Sequence, residues 1–244
     1  MRVALSAAAA LCAALGNVCV ARAADLTFGA EKILFFSGVD LWRHGAFTYG
    51  GTLWAPSGLD SDGIVFKLSA GAGTYRYLSG ALNADVTGQT FSFSVLPGWR
   101  FKRGTFTVTA FAGLDLQRHE LTPDDVMSSL RGTLAGARGG VEIWYEPAPA
   151  TMVSADVSAT SIGPSYSARG ALGWRVFDRF YSGPEIAGFA FDDNYRQFRI
   201  GTHITALKTG AFEWSAGVGW SRDSDRREGV YGRLGLLMRG NLFW

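Results

Sequence analysis

The sequence predicts an all-β fold: one twelve-stranded antiparallel transmembrane β-barrel of the outer-membrane, up-and-down kind. Three observations carry that prediction. Apolar residues recur at every second position in short segments separated by turn residues. The connections alternate between short turns and longer polar loops, which is how bacterial outer-membrane barrels are built. One phase of the segments is almost free of charge, while the other mixes single Arg, Glu and Asp residues with many glycines.

Composition fits this class. Among 244 residues there are 32 Gly and only 7 Pro, and aromatics make up 14%, a mix suited to strands and tight turns. Residues 1–24 read as a secretory signal peptide: Arg2, a long apolar run, then Ala21-Arg22-Ala23, with cleavage expected near Ala23 or Ala24. Residues 25–244 then form the barrel domain. Cys12 and Cys19 both lie in the leader, so the mature chain is expected to have no disulfide and no thiol chemistry. Losing Arg2 and Arg22 takes the 23 basic residues to 21, equal to the 21 acidic ones, which gives no case for nucleic-acid binding.

No later stretch is apolar enough for a membrane-spanning helix. The strands are read in order as two weaker segments, 33–42 and 46–55, then 64–78, 90–101, 105–119, 134–145, 152–161, 166–177, 180–191, 195–207, 211–221 and about 230–244. The alternation is sharpest toward the end. In 195–207 one phase is Phe198, Ile200, Thr202, Ile204 and Ala206; in 211–221 it is Phe212, Trp214, Ala216, Val218 and Trp220. The final segment places Leu234, Leu236, Met238, Leu242 and Trp244 outward, Arg233 and Arg239 inward, and Trp244 at the periplasmic rim. Short turns include 102–104, 146–150, 177–179 and 208–210; the longer connections are 79–89, 120–133 and 222–229.

A soluble barrel hides its apolar phase, whereas a membrane barrel turns it to lipid. Single charges among glycines suit a confined interior, so the apolar phase is read as lipid-facing. An open strand edge in lipid would strand N–H and C=O groups without partners, so the first strand must meet the last.

The stretches LFFSGVDLWRHGAFTYGG, LPGWRFKRG, GLDLQRHELTPDD, WYEPAPATMVSADVS, YSARGALGWRVFDRFYSGPEI and YRQFRIGTHITALKTGAFEWSAGVGWSRDSD together resemble the bacterial cellulose biosynthesis protein BcsS family over about residues 33–240. The resemblance implies an outer-membrane accessory factor for making or exporting cellulose. Its partners would be outer-membrane lipid, cellulose or glucan chains, other cellulose-synthesis components and, during insertion, the barrel-assembly machinery. It implies no catalytic motif. Two main roles stay open, a glucan or oligosaccharide channel, or a closed barrel that docks polymer or partners through loops such as 120–133 and 222–229, with an outer-membrane hydrolase as a minor third.

The candidate lumen and glycan-contacting residues are Lys67, Tyr75, Tyr77, Arg138, Glu142, Asp156, Arg169, Arg175, Glu185, Arg199, His203, Glu213, Arg233 and Arg239. The charged ones either pair across strands and stiffen the lumen or line a polar passage. Tyr75, Tyr77, Tyr181 and Tyr195 share the polar phase and either stack on sugar rings or pack at a rim.

Enzyme chemistry finds little support. His119 and His203 face inward and serines are plentiful, but no G-x-S-x-G elbow is present. Asp124-Asp125 sits in turn chemistry, and neither Asp192-Asp193-Asn194 nor Asp223-Ser224-Asp225 has calcium-loop spacing. No catalytic residue, metal or cofactor is therefore assigned. Gly71, Gly73, Gly136, Gly139, Gly140, Gly217 and Gly219 are read as permitting curvature or leaving lumen space.

Overall fold

The computed structural model describes residues 31–191 and 195–241. The expected leader, the acidic turn Asp192-Asp193-Asn194 and the terminal Leu242 and Trp244 lie outside the described residues. The strands are β1 (Ile33–Trp42), β2 (Gly45–Trp54), β3 (Gly63–Ser79), β4 (Ala84–Arg103), β5 (Phe106–Thr122), β6 (Gly132–Ala148), β7 (Thr151–Thr160), β8 (Ser165–Val176), β9 (Phe180–Phe191), β10 (Tyr195–Thr209), β11 (Phe212–Asp223) and β12 (Glu228–Gly240). All pairings are antiparallel between chain neighbours, and β1 pairs with β12 from Ile33↔Gly240 to Trp42↔Tyr231. That last pairing closes the sheet, so among the described residues no open strand edge is left to face lipid.

The apolar phase faces outward. Leu114, Leu116, Val157, Ile186, Phe198, Ile200, Val218, Trp220, Val230 and Leu234 are all exposed on the outer wall. The inward phase keeps small, polar and aromatic side chains.

Three of the longer connections are shorter than the sequence reading has them, and one cause explains all three. The segments expected as loops 79–89, 120–133 and 222–229 shrink to 80–83, 123–131 and 224–227 because the flanking strands continue. In those extensions the outward residues are polar, among them Asp85, Gln89, Glu120 and Arg222, and Val86 is fully buried inside. Above the lipid band the outer face meets water, so apolar-outward alternation ceases to mark a strand there.

Two further departures shape the interior. The chain on the short-turn side includes one longer connection, 55–62, whose Leu59 packs with Leu53, Val65, Leu96 and Phe111 inside that end of the barrel. In β10 the register shifts between Ile204 and Leu207, with Ala206 at φ 62. This β-bulge turns Ala206 toward the lumen, correcting its expected place on the outward phase.

Candidate functional site

The inward faces enclose a cavity of about 1720 Å³. Gly104, Lys208 and Glu213 line it at the end of the even-to-odd turns, and Gly80, Met127 and Tyr195 line it at the other. The lumen thus runs from one set of turns to the other, and the strands position most of the groups that face it.

Many charges inside are paired, several of them across the lumen and not along the wall. Lys67 Nζ on β3 meets Glu142 Oε1 on β6 at 2.5 Å, and the same ammonium stands 5.1 Å over each of the rings of Phe36 and Phe111. Arg233 on β12 binds Glu185 on β9 at 2.5 Å, and Tyr231 donates its hydroxyl proton to the same carboxylate at 2.9 Å. Arg199 on β10 donates to both Asp40 oxygens at 2.7 Å and lies against the rings of Trp42, Phe189 and Tyr231. Asp115, fully buried, accepts from Ser94, Gln117 and Thr160 at 2.8 Å and from Arg138 at 2.9 Å. A buried carboxylate tolerates desolvation only with this many donors around it.

Asp156 and Arg169, directly opposite on β7 and β8, are paired more loosely. The Nε–Oδ2 separation is 3.3 Å, and Arg169 Nε has no hydrogen-bond partner.

Most of the expected lumen residues do line the cavity: Lys67, Tyr75, Tyr77, Arg138, Glu142, Asp156, Arg169, Arg175, Arg199, Glu213, Arg233 and Arg239. They do not form one cluster. Arg239 sits at the rim with Asp60 and Glu31, and Arg175 donates to Tyr181. Glu185 and His203 point inward but are only 2% and 1% exposed, and neither lines the cavity. The reason is packing: Arg233 and Tyr231 occupy Glu185, while His203 bonds to Thr205 and the Leu172 carbonyl.

Residues that sequence reasoning missed are Asp40, Phe36, Phe47 and Tyr49 on β1 and β2, and Trp144 on β6. Trp144 shares the phase of Arg138 and Glu142, a signal available in the sequence. The β1 residues were hidden because Phe35-Phe36 breaks the two-residue pattern.

The rims are held by carboxylates outside the strands. Asp60 in the 55–62 loop bonds to Lys102 at 2.6 Å and Arg239 at 3.2 Å, and the Lys102 bond, aided by the nearby cations, holds its carboxyl below the ordinary range. Asp125 in 123–131 accepts from Tyr77 at 3.0 Å, and bonds from Ser79 and Tyr77 lower its pKa. Val126 and Met127 beside it are exposed.

A family model described as cellulose biosynthesis protein BcsS matches residues 34–240. Among curated proteins no sequence matches. Of solved structures, an outer membrane channel from Pseudomonas putida F1 is similar with 11% identity, 91% of this chain and 100% of that chain covered, and a TM-score of 0.53. The transport unit of the autotransporter AIDA-I from Escherichia coli has 10% identity, coverage of 96% and 98%, and a TM-score of 0.49. The KdgM porin has 9% identity, coverage of 84% and 98%, and a TM-score of 0.47. At such identities the likeness concerns the fold: an outer-membrane β-barrel.

Proposed function

This chain belongs to the cellulose biosynthesis protein BcsS family, and from that premise we propose that its barrel is the outer-membrane passage for a neutral glucan or oligosaccharide in cellulose production. The observation that carries the reading is the lumen itself, lined from the turns at one end to those at the other. Its central charges bind one another, and inward serines, carboxylates and arginines offer hydrogen bonds to hydroxyls. The partners this implies are outer-membrane lipid, the polymer and other cellulose-synthesis components, with the barrel-assembly machinery engaging the closing strand during insertion.

No hydrolytic step is part of this proposal. His119 bonds to Tyr75 and Gln117 at 3.1 and 2.9 Å, and His203 to Thr205 and the Leu172 carbonyl.

Planar-bilayer recording tests the passage. Purified barrel should give a steady current that cello-oligosaccharides block in proportion to concentration. Absence of current from correctly folded protein would overturn the reading. It would favour docking through 123–131, whose Val126 and Met127 are 67% and 78% exposed.

A further inference from the structure

Inward aromatic rings on β1–β3 occupy successive levels of one wall. The strand register places Phe36 beside Gly51 and Ser69, Tyr49 beside Gly38 and Gly71, Phe47 beside Gly73, Tyr75 beside Gly45 and Gly88, and Tyr77 beside Val86. Read along β3, these are the levels of residues 69, 71, 73, 75 and 77. Successive inward levels are two residues, or about 7 Å, apart along a strand. The rings therefore climb from mid-lumen toward the 80–83 turn without skipping a level.

Four of these rings lean on a glycine directly paired with them. A Cβ added at Gly51, Gly38, Gly73 or Gly88 would come under 3.0 Å of Phe36, Tyr49, Phe47 or Tyr75 respectively. The glycines thus do more than leave space: they let each ring approach the wall more closely than any side chain at the paired position would allow. All five rings line that cavity. Lys67 stands over Phe36, but among the described residues no cation lies over Phe47 or Tyr49, and Tyr49 is 38% exposed to the lumen.

The opposite wall is of a different chemistry. On β7 and β8, half the circumference away, Ser154, Asp156, Ser158, Ser167 and Arg169 face the same cavity. Ser158 and Ser167 bond to each other at 2.9 Å, and Arg169 Nε has no hydrogen-bond partner. A ligand filling this lumen meets flat apolar faces on one side and hydroxyl, carboxylate and guanidinium groups on the other. A pyranose chain has that division, with C–H faces on its rings and hydroxyls at its edges.

We propose that Phe36, Tyr49, Phe47, Tyr75 and Tyr77 form a stacking track for the sugar rings of an uncharged β-linked glucan, with β7–β8 binding its hydroxyl edge. This rests on the passage reading above and adds to it which wall holds the chain and by what contact. The track is a binding site in its own right, and affinity measures it whether or not current flows.

The experiment uses the full barrel in detergent with cellohexaose as the probe. In saturation-transfer NMR, irradiating aromatic protons of the native protein should transfer magnetisation to the ring C–H protons of the sugar. By calorimetry, Phe47→Ala and Tyr49→Ala should each weaken cellohexaose binding by about tenfold, whereas Tyr49→Phe, which keeps the ring, should bind within about twofold of the native protein. Heat-modifiable gel migration verifies that each variant is folded, and the native-protein NMR stands even if an alanine variant is not. No transfer from the aromatic protons, or folded alanine variants that bind as tightly as native, would overturn the track. Bilayer recording on the same samples separates the two readings. Current with sugar affinity indifferent to Phe47 and Tyr49 removes the track and leaves the passage; ring-dependent affinity without current removes the passage and leaves the track.

Discussion

Lys67 Nζ lies 2.5 Å from Glu142 Oε1 although β4 and β5 stand between their strands in the wall. The pair therefore spans a chord of the lumen and narrows it. Both side chains keep contact with the cavity, at 21% and 44% exposure, so their attraction is worth no more than about 1 kcal/mol to stability. Their effect on passage is expected to be larger. Lys67→Ala should raise single-channel conductance and shift ion preference toward cations, because Glu142 is left uncompensated. Glu142→Gln should shift it toward anions. Reversal potentials across a salt gradient measure this, and two variants with native ion preference would place the constriction elsewhere.

Arg233 and Glu185 present the opposite balance. Their side chains are 11% and 2% exposed, and Tyr231 shares the carboxylate. Removing one partner leaves a charge in the wall without water, which costs roughly 3–5 kcal/mol. Arg233→Ala should lower stability by that order in denaturant unfolding followed by tryptophan fluorescence. Replacing both partners together, as Glu185→Gln with Arg233→Met, should recover much of the loss. A double variant as unstable as the single one would mean that packing around Arg233, and not its charge, is what matters.

The strand count, the closure and the facing of each phase were legible in the sequence because lipid imposes a period of two wherever it touches the wall. Above the lipid that constraint ends, so the upper parts of β4 and β5, with Asp85, Gln89 and Glu120 outward, read as loops. Inward charges could be assigned to the lumen by phase, as with Lys67, Arg138 and Asp156. Phase carries no information on partners three strands away, so it could not separate Glu142, which faces the cavity, from Glu185, which is enclosed. Nor could it show that the glycines seat rings, since that depends on the register between β1, β2, β3 and β4.

The 55–62 loop should respond to acid. Lys102 and Arg239 hold the Asp60 carboxyl below the ordinary range. A carboxylate with a depressed folded pKa contributes stability above its unfolded value, near 3.9, and loses it as pH falls through the folded value. The loop should therefore stay closed across neutral pH and loosen only below about pH 4. Hydrogen exchange at the Ala55 and Leu59 amides, which bond to Lys32 and Glu31 carbonyls, reports the opening. Asp60→Asn should exchange faster at neutral pH and lose much of the acid dependence; native exchange rates in that variant would show that Leu59 packing alone holds the loop.

Depth on the outer wall gives the most direct test of the membrane reading. Leu114 lies midway along β5, points outward and is 71% exposed, while Arg118 points outward four residues nearer the 123–131 end and pairs with Glu120 at 2.8 Å. An arginine at the middle of a lipid-facing wall costs roughly 2–4 kcal/mol, falling to about 0–1 near the interface. Leu114→Arg should therefore destabilise the barrel in phospholipid vesicles by the larger amount, and Arg118→Leu should change it little. Equal, small effects at both positions would mean that no hydrocarbon surrounds the middle of β5. The comparison is internal to one strand and one face.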